Sequence, residues 1–171
     1  MVAPSQRDHI EQIYEAWSRE IPDVSTRGAQ ILARARRITM YVRPQIEGMF
    51  KTFDLDSGEF DVLATLRRAG APYSLRPTEL YKSLMISSGG LTDRLDRLEE
   101  RGFIRRRPSA EDARSLLVEL TALGRKRIEA AFAADMALEN RLIDGLTREE
   151  HGQLVQLLRK VMLLVEPPAA G

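Results

Sequence analysis

The stretch from Arg76 to Leu120 constrains this chain most, because its apolar spacing changes from helical to strand-like within a few dozen residues. Pro77 stands where a helix favours proline, at its first position, with Glu79 in the first turn and Leu80 and Leu84 on one face. Met85 and Ile86 then make a tight turn. Ser87 and Ser88 open a second helix over 88–101, with Leu91, Leu95 and Leu98 on one side and Gly102 as its stop. Two strands follow, 103–107 and 115–120, around a polar turn at 108–114, and Leu116, Val118 and Leu120 show the period-2 spacing of a half-buried strand. Two short helices joined by a turn and followed at once by a hairpin have the layout of a winged helix-turn-helix.

The flanks are helical. Ile10, Ile13, Tyr14, Trp17 and Ile21 repeat at helical spacing over roughly Gln6 to Glu20, and Pro22 ends the run. A second helix starts after Ser25 or Thr26 with Ile31, Leu32, Ala35, Ile38 and Val42, and Pro44 predicts a kink or an early end. Asp56 and Glu59 have capping-box spacing ahead of a third helix carrying Phe60, Leu63 and Leu66. Gly70, Ala71 and Pro72 break that helix, and Tyr73 to Leu75 suit a short strand. Thr121 caps a long helix running to Gly145, and Thr147 with Glu150 starts another that carries Leu154, Leu158, Val161, Met162 and Val165.

The fold class that follows is mainly α with a small β-hairpin wing: a winged helix-turn-helix flanked by long dimerisation helices, with an extra N-terminal helix. The expected segments are 1–55 for the N-terminal and dimerisation helices, 56–120 for the winged domain, 121–166 for the C-terminal dimerisation helices, and 167–171 as a disordered tail. The outer helices carry more apolar surface than one small core can cover, which points to a homodimer over a monomeric bundle.

Composition removes several classes of function. There is no cysteine, so disulfides, thiolate chemistry and cysteine-bearing zinc sites are out, and His9 and His151 lie near opposite ends. No metal site and no cofactor is expected. The longest apolar run, Val161 to Val165, is far below a membrane span, and no secretory leader is visible, so a cytoplasmic protein is expected. No Ser/His/Asp set, metal-ligand spacing or phosphate-cradling glycine pattern favours an enzyme.

Net charge is only +1 across 171 residues, but it is unevenly spread. Residues 1–24 have a balance of −3, and residues 76–127 have +4, with Arg101, Arg105, Arg106, Arg107 and Arg114 crowded together. That clustering suits phosphate contact, although a solvated face would look the same. On a wheel of ~100° per residue, Asp93 and Arg97 point away from the leucine side, with Gly89 and Gly90, while Arg94 and Arg101 share a flank. Ser87 and Ser88 can offer hydroxyls and N–H groups to phosphate, and Gly89 and Gly90 can let the backbone approach bases. Arg97 can reach guanine or phosphate, Asp93 can accept from cytosine, and Arg114, held by Asp112, can enter a minor groove. Thr92 and Arg107 complete the expected contacts to duplex DNA.

The runs FDVLATLRRAG, PTELYKSLMISSGGLTDRLDRLEERGFIRRR and EDARSLLVELTALGR together resemble the MarR family of regulators, densely over residues 59–125. The resemblance implies a homodimer that binds a pseudo-palindromic operator and usually represses. The chain also resembles the urate-responsive branch of that family, with Trp17, Asp61, Arg94 and Arg106 at the matching positions. A small anionic aromatic or purine ligand such as urate would suit an arginine pair beside an aromatic wall. The alternatives are a regulator answering phenolic or aromatic acids through another crevice, and a helical dimerisation adaptor that does not bind DNA.

Overall fold

The protein is described by a computed structural model that covers residues 7–84, 90–108 and 116–166. The expected tail at 167–171 lies outside these residues. The chain divides into two compact units, one running from Ile31 to Leu138 and the other formed by residues up to Gln30 with those from Glu139 onward.

In the Ile31–Leu138 unit, α2 (Arg27–Lys51, entering from the other unit) continues unbroken past Pro44. The helix therefore does not end early at Pro44, as one of the two expected outcomes had it. Proline removes one backbone donor, but Ile46 and Met49 pack against the core beyond it and Phe50 is buried there. The rings of Phe50 and Phe60 stack at 4.0 Å. Packing of that last stretch outweighs a local penalty of ~3 kcal/mol.

Helix α3 (Ser57–Arg68) has the capping box expected from the sequence: Asp56 accepts from the Glu59 N–H at 2.8 Å, and Glu59 accepts from the Asp56 N–H at 3.0 Å. Its buried Val62, Leu63 and Leu66 form the centre of the core. Next come β1 (Ser74–Leu75), α4 (Pro77–Ser83, with Pro77 in its first turn) and α5 (Leu91–Glu100). Strands β2 (Ile104–Pro108) and β3 (Leu116–Leu120) complete an antiparallel sheet in the order β1-β3-β2. Ile104 lies opposite Leu120, and Arg105 lies opposite Glu119. Residues directly opposite share a face, so Ile104, Val118 and Leu120 turn to the core, while Arg105, Arg107 and Glu119 line the outer face.

Helix α6 (Ala122–Leu142) ends before Gly145, where the sequence had placed its stop. Its first turn is locked to the sheet. The Thr121 hydroxyl donates to the Gly102 and Phe103 carbonyls and accepts from the Gly124 N–H at 3.0 Å.

The other unit holds α1 (His9–Glu20, capped by Asp8) and α7 (Arg148–Val165, with the Thr147/Glu150 capping box). Ile10 is the buried residue of α1, and α7 buries none. Leu157, Leu163 and Leu164 of α7 are all well exposed. No helix among the described residues is long and apolar enough to cross a membrane.

Candidate nucleic-acid interface

Helix α5 is amphipathic by construction. Leu95 and Leu98 are buried against the core, and Thr92, Asp93, Asp96, Arg97 and Glu100 face solvent. It begins at Leu91, three residues later than the sequence suggested. Gly90 is its N-cap with φ of 71°, in the left-handed region. Glycine is therefore explained here by a backbone conformation that other L residues rarely adopt, without invoking close approach to a base. Ser87, Ser88 and Gly89 lie outside the described residues, as do Asp112 and Arg114 at the wing turn.

Arg97 does not extend freely outward as the wheel suggested. Its Nη2 lies 3.1 Å from Asp56 and its Nε donates to Glu59 at 2.9 Å. The reason is geometric: about 60° off the outward direction, a long side chain reaches the two acids of the α3 capping box. Arg101, one turn on, pairs with Glu59 at 2.6 Å and donates to the backbone carbonyl of Asp54. Burial alone would push the Glu59 carboxyl up, but the guanidiniums of Arg101 and Arg97 and the Asp56 N–H together hold it below the ordinary glutamate range.

The other flank of α5 is tied to the hairpin. Arg106 donates through its backbone N–H and Nη1 to Glu99, at 2.7 and 3.0 Å, and through Nη2 to Asp96 at 2.6 Å. On the outer face of the sheet Glu119 takes Arg105 Nη2 at 2.5 Å and also accepts from Arg107 Nε. The Arg105 guanidinium, against the smaller opposing effect of burial and with help from Arg107, holds Glu119 below its ordinary pKa.

Of the four residues matched to a ligand site, Asp61, Arg94 and Arg106 lie in the Ile31–Leu138 unit. Asp61 is buried on α3. The Arg94 guanidinium lies over Gly58, so closely that a Cβ there would stand 2.2 Å from its Nε. Gly58 and Asp61 are one turn apart on the same helix face. Neither Asp61 nor Arg94 is an isolated charge. Arg106, bound to Asp96 and Glu99, is on the opposite flank of α5 from Arg94, roughly half a turn round the helix. Trp17 belongs to the other unit, on α1, and is 53% exposed.

Sequence reasoning overlooked Glu59 and Glu119 as ion-pair centres. Glu59 was visible only as a capping residue and Glu119 only as the polar member of an alternating strand. The clue was available for Glu119, since pairing 103–107 with 115–120 sets one acid across from two arginines. Among the described residues no cluster of side chains could hold a metal ion.

Fold and charge define a winged helix-turn-helix protein whose helix α5 is braced on both flanks by ion pairs. The MarR family model matches residues 55–116. The chain is 34% identical to the HTH-type transcriptional regulator PecS of Dickeya dadantii over 152 residues, covering 89% of this chain and 92% of that protein. A mutant of MarR from Escherichia coli, solved in complex with operator DNA, is 31% identical over 78% of this chain and 96% of its own, with a TM-score of 0.63. Sco3205 of Streptomyces coelicolor, a MarR-family regulator solved with DNA, shares the fold at 20% identity and a TM-score of 0.73, over 86% of this chain and 92% of its own. The chain belongs to the MarR family, and it is a transcriptional regulator and not an enzyme.

Proposed function

We propose that this regulator binds duplex DNA as a homodimer, represses the gene it controls, and is released by a small anionic aromatic or purine ligand such as urate. The observation that carries the DNA reading is the arginine-rich head made by α5 and the hairpin. Its solvent edge presents Thr92, Asp93 and Arg97, and the outer sheet face beside it in sequence carries Arg105 and Arg107. Relatives solved with DNA support the same use of this fold. Ser87, Ser88, Gly89 and Gly90 would enter the major groove first, and Asp112 and Arg114 would serve a minor groove.

The dimer is supported by the apolar side chains left open on the helices outside the core, among them Ile38, Met40, Leu154, Leu158 and Leu164. Patches of this kind on a small protein mark a partner surface. Support for the ligand comes from the burial of Asp61 and the seating of Arg94 over Gly58, which put an acid and an arginine at the α3–α5 contact. A ligand preferring a different α3–α5 arrangement would shift the head away from its DNA-binding form.

The position of Arg106 favours a second reading. Held by Asp96 and Glu99, it is unavailable to a ligand beside Arg94, so a phenolic or other aromatic acid that needs only one arginine fits as well. Titrations with urate, xanthine and salicylate, followed by Trp17 fluorescence and duplex binding, separate the two. The urate reading expects quenching and DNA release by urate, both lost in Arg94→Ala. Release by salicylate alone supports the second reading, and full release by urate in Arg94→Ala rejects the assigned site.

A further inference from the structure

The outer face of the wing carries more positive charge than it offers. Arg105 and Arg107 stand two residues apart on β2, on the same face, and both reach across to the single carboxylate of Glu119 on β3. Glu119 is itself shielded, with its side chain 14% exposed, whereas the two arginines are 63% and 38% exposed. The cluster therefore shows solvent two guanidiniums held in one place by a carboxylate that lies beneath them.

We propose that Glu119 is a specificity-determining residue, which keeps Arg105 and Arg107 from being recruited by the phosphates of any passing duplex. The inference rests on the DNA reading above. Non-specific binding is almost wholly a phosphate effect, gained by counterion release and indifferent to sequence. A phosphate that approaches this face must compete with a carboxylate already in contact with both cations. Non-specific duplex offers nothing else in return. A specific site also offers base contacts to α5, which hold the wing against the backbone and make that exchange favourable. Glu119 thus lowers non-specific affinity more than specific affinity. The same internal neutralisation operates where Arg97 and Arg101 meet Glu59, but there the acid also braces a helix. Glu119 is the place where restraint of charge can be tested with the least damage to the fold.

The test is Glu119→Gln in the full-length chain, a substitution that keeps the shape and removes the charge. Binding is measured by fluorescence anisotropy between ~50 and ~200 mM salt, on a scrambled duplex and on the tightest duplex the wild-type chain selects from a random pool. Each recruited phosphate contact steepens the log K against log salt slope by ~0.9, so two freed arginines add up to ~1.8 and widen the affinity ratio across that salt range by about tenfold. The expected result is this steeper slope and tighter binding on the scrambled duplex, with a smaller ratio between selected and scrambled. An unchanged slope overturns the proposal. Arg105→Gln with Arg107→Gln, in the presence of Glu119, is expected to flatten the slope on the selected duplex, where both arginines reach phosphate, by clearly more than on the scrambled one. An equal loss of ~1.8 on both duplexes would show the arginines already on phosphate without a specific site and would also overturn it, even where Glu119→Gln fails to fold. A wild-type chain that ignores both duplexes at ~50 mM salt overturns the DNA reading itself.

Discussion

Replacing Glu59 by alanine should loosen α5 from α3 and lower stability by about 2–3 kcal/mol. The figure is built from the contacts. Glu59 is buried, pairs with Arg97 at 2.9 Å and Arg101 at 2.6 Å, and accepts from the Asp56 N–H at 3.0 Å. Breaking a fully buried pair costs ~3–5 kcal/mol, because the surviving charge is stranded. Here the surviving arginines are about a half and a quarter exposed, so water recovers much of that cost and leaves ~1–2 kcal/mol. The lost half of the capping box adds ~1 kcal/mol. For a chain of this length the sum corresponds to a Tm lower by roughly 4–12 °C. Glu59→Gln keeps an acceptor for the Asp56 N–H and should lose about half as much. Urea unfolding followed by circular dichroism, at one fixed protomer concentration because the proposed dimer would couple to folding, measures both variants. Losses below ~0.5 kcal/mol in each would equate these contacts with ordinary surface ion pairs and refute the bracing of α5 by α3.

Gly124→Ala is expected to destabilise by about 1–3 kcal/mol although alanine favours helix, because its Cβ would stand 1.9 Å from the Phe103 carbonyl oxygen, a backbone atom that cannot turn aside. A thermal melt checks it, and an unchanged or raised Tm would contradict the close approach of α6 to the sheet. Gly58→Ala should push the Arg94 side chain off α3 and abolish the ligand response while duplex binding persists; a normal response would remove Arg94 from the ligand account. Glu59 and Glu119 are held below their ordinary pKa in the fold, so the stability they confer is complete above the unfolded value of ~4.3 and is lost as pH falls through the lower folded values. Urea midpoints taken from ~pH 6 downward should fall in that acid range, and Glu59→Gln should show a shallower fall; identical acid limbs would refute the assignment.

What the sequence revealed depended on how far apart the interacting residues lie. The boxes at Asp56/Glu59 and Thr147/Glu150 were legible because both partners fall within one turn. The hairpin was legible because Leu116, Val118 and Leu120 recur at every second position with polar Glu119 between the last two, and the family resemblance because its motifs are contiguous. Pro44 misled as to where the helix ends because its local penalty is opposed by Phe50, whose ring partner Phe60 lies on another helix. The start of α5 was misplaced because serines look like caps, while the positive φ of Gly90 cannot be read from composition. Arg97 shows the general limit. Its charge was plain, but its acids are 38 and 41 residues away and become neighbours only when α3 and α5 pack. The same packing separates Arg94 from Arg106, which sequence matching had grouped.

Hydroxyl-radical footprinting of the wild-type chain on its selected duplex tests most directly whether two copies of the α5–wing head read DNA together. A twofold dimer should protect two patches centred ~10 bp apart, related by the pseudo-symmetry of the site, with Thr92→Ala or Asp93→Ala altering base preference in both. A single protected patch, or uniform protection with no preferred position at any salt, would contradict it.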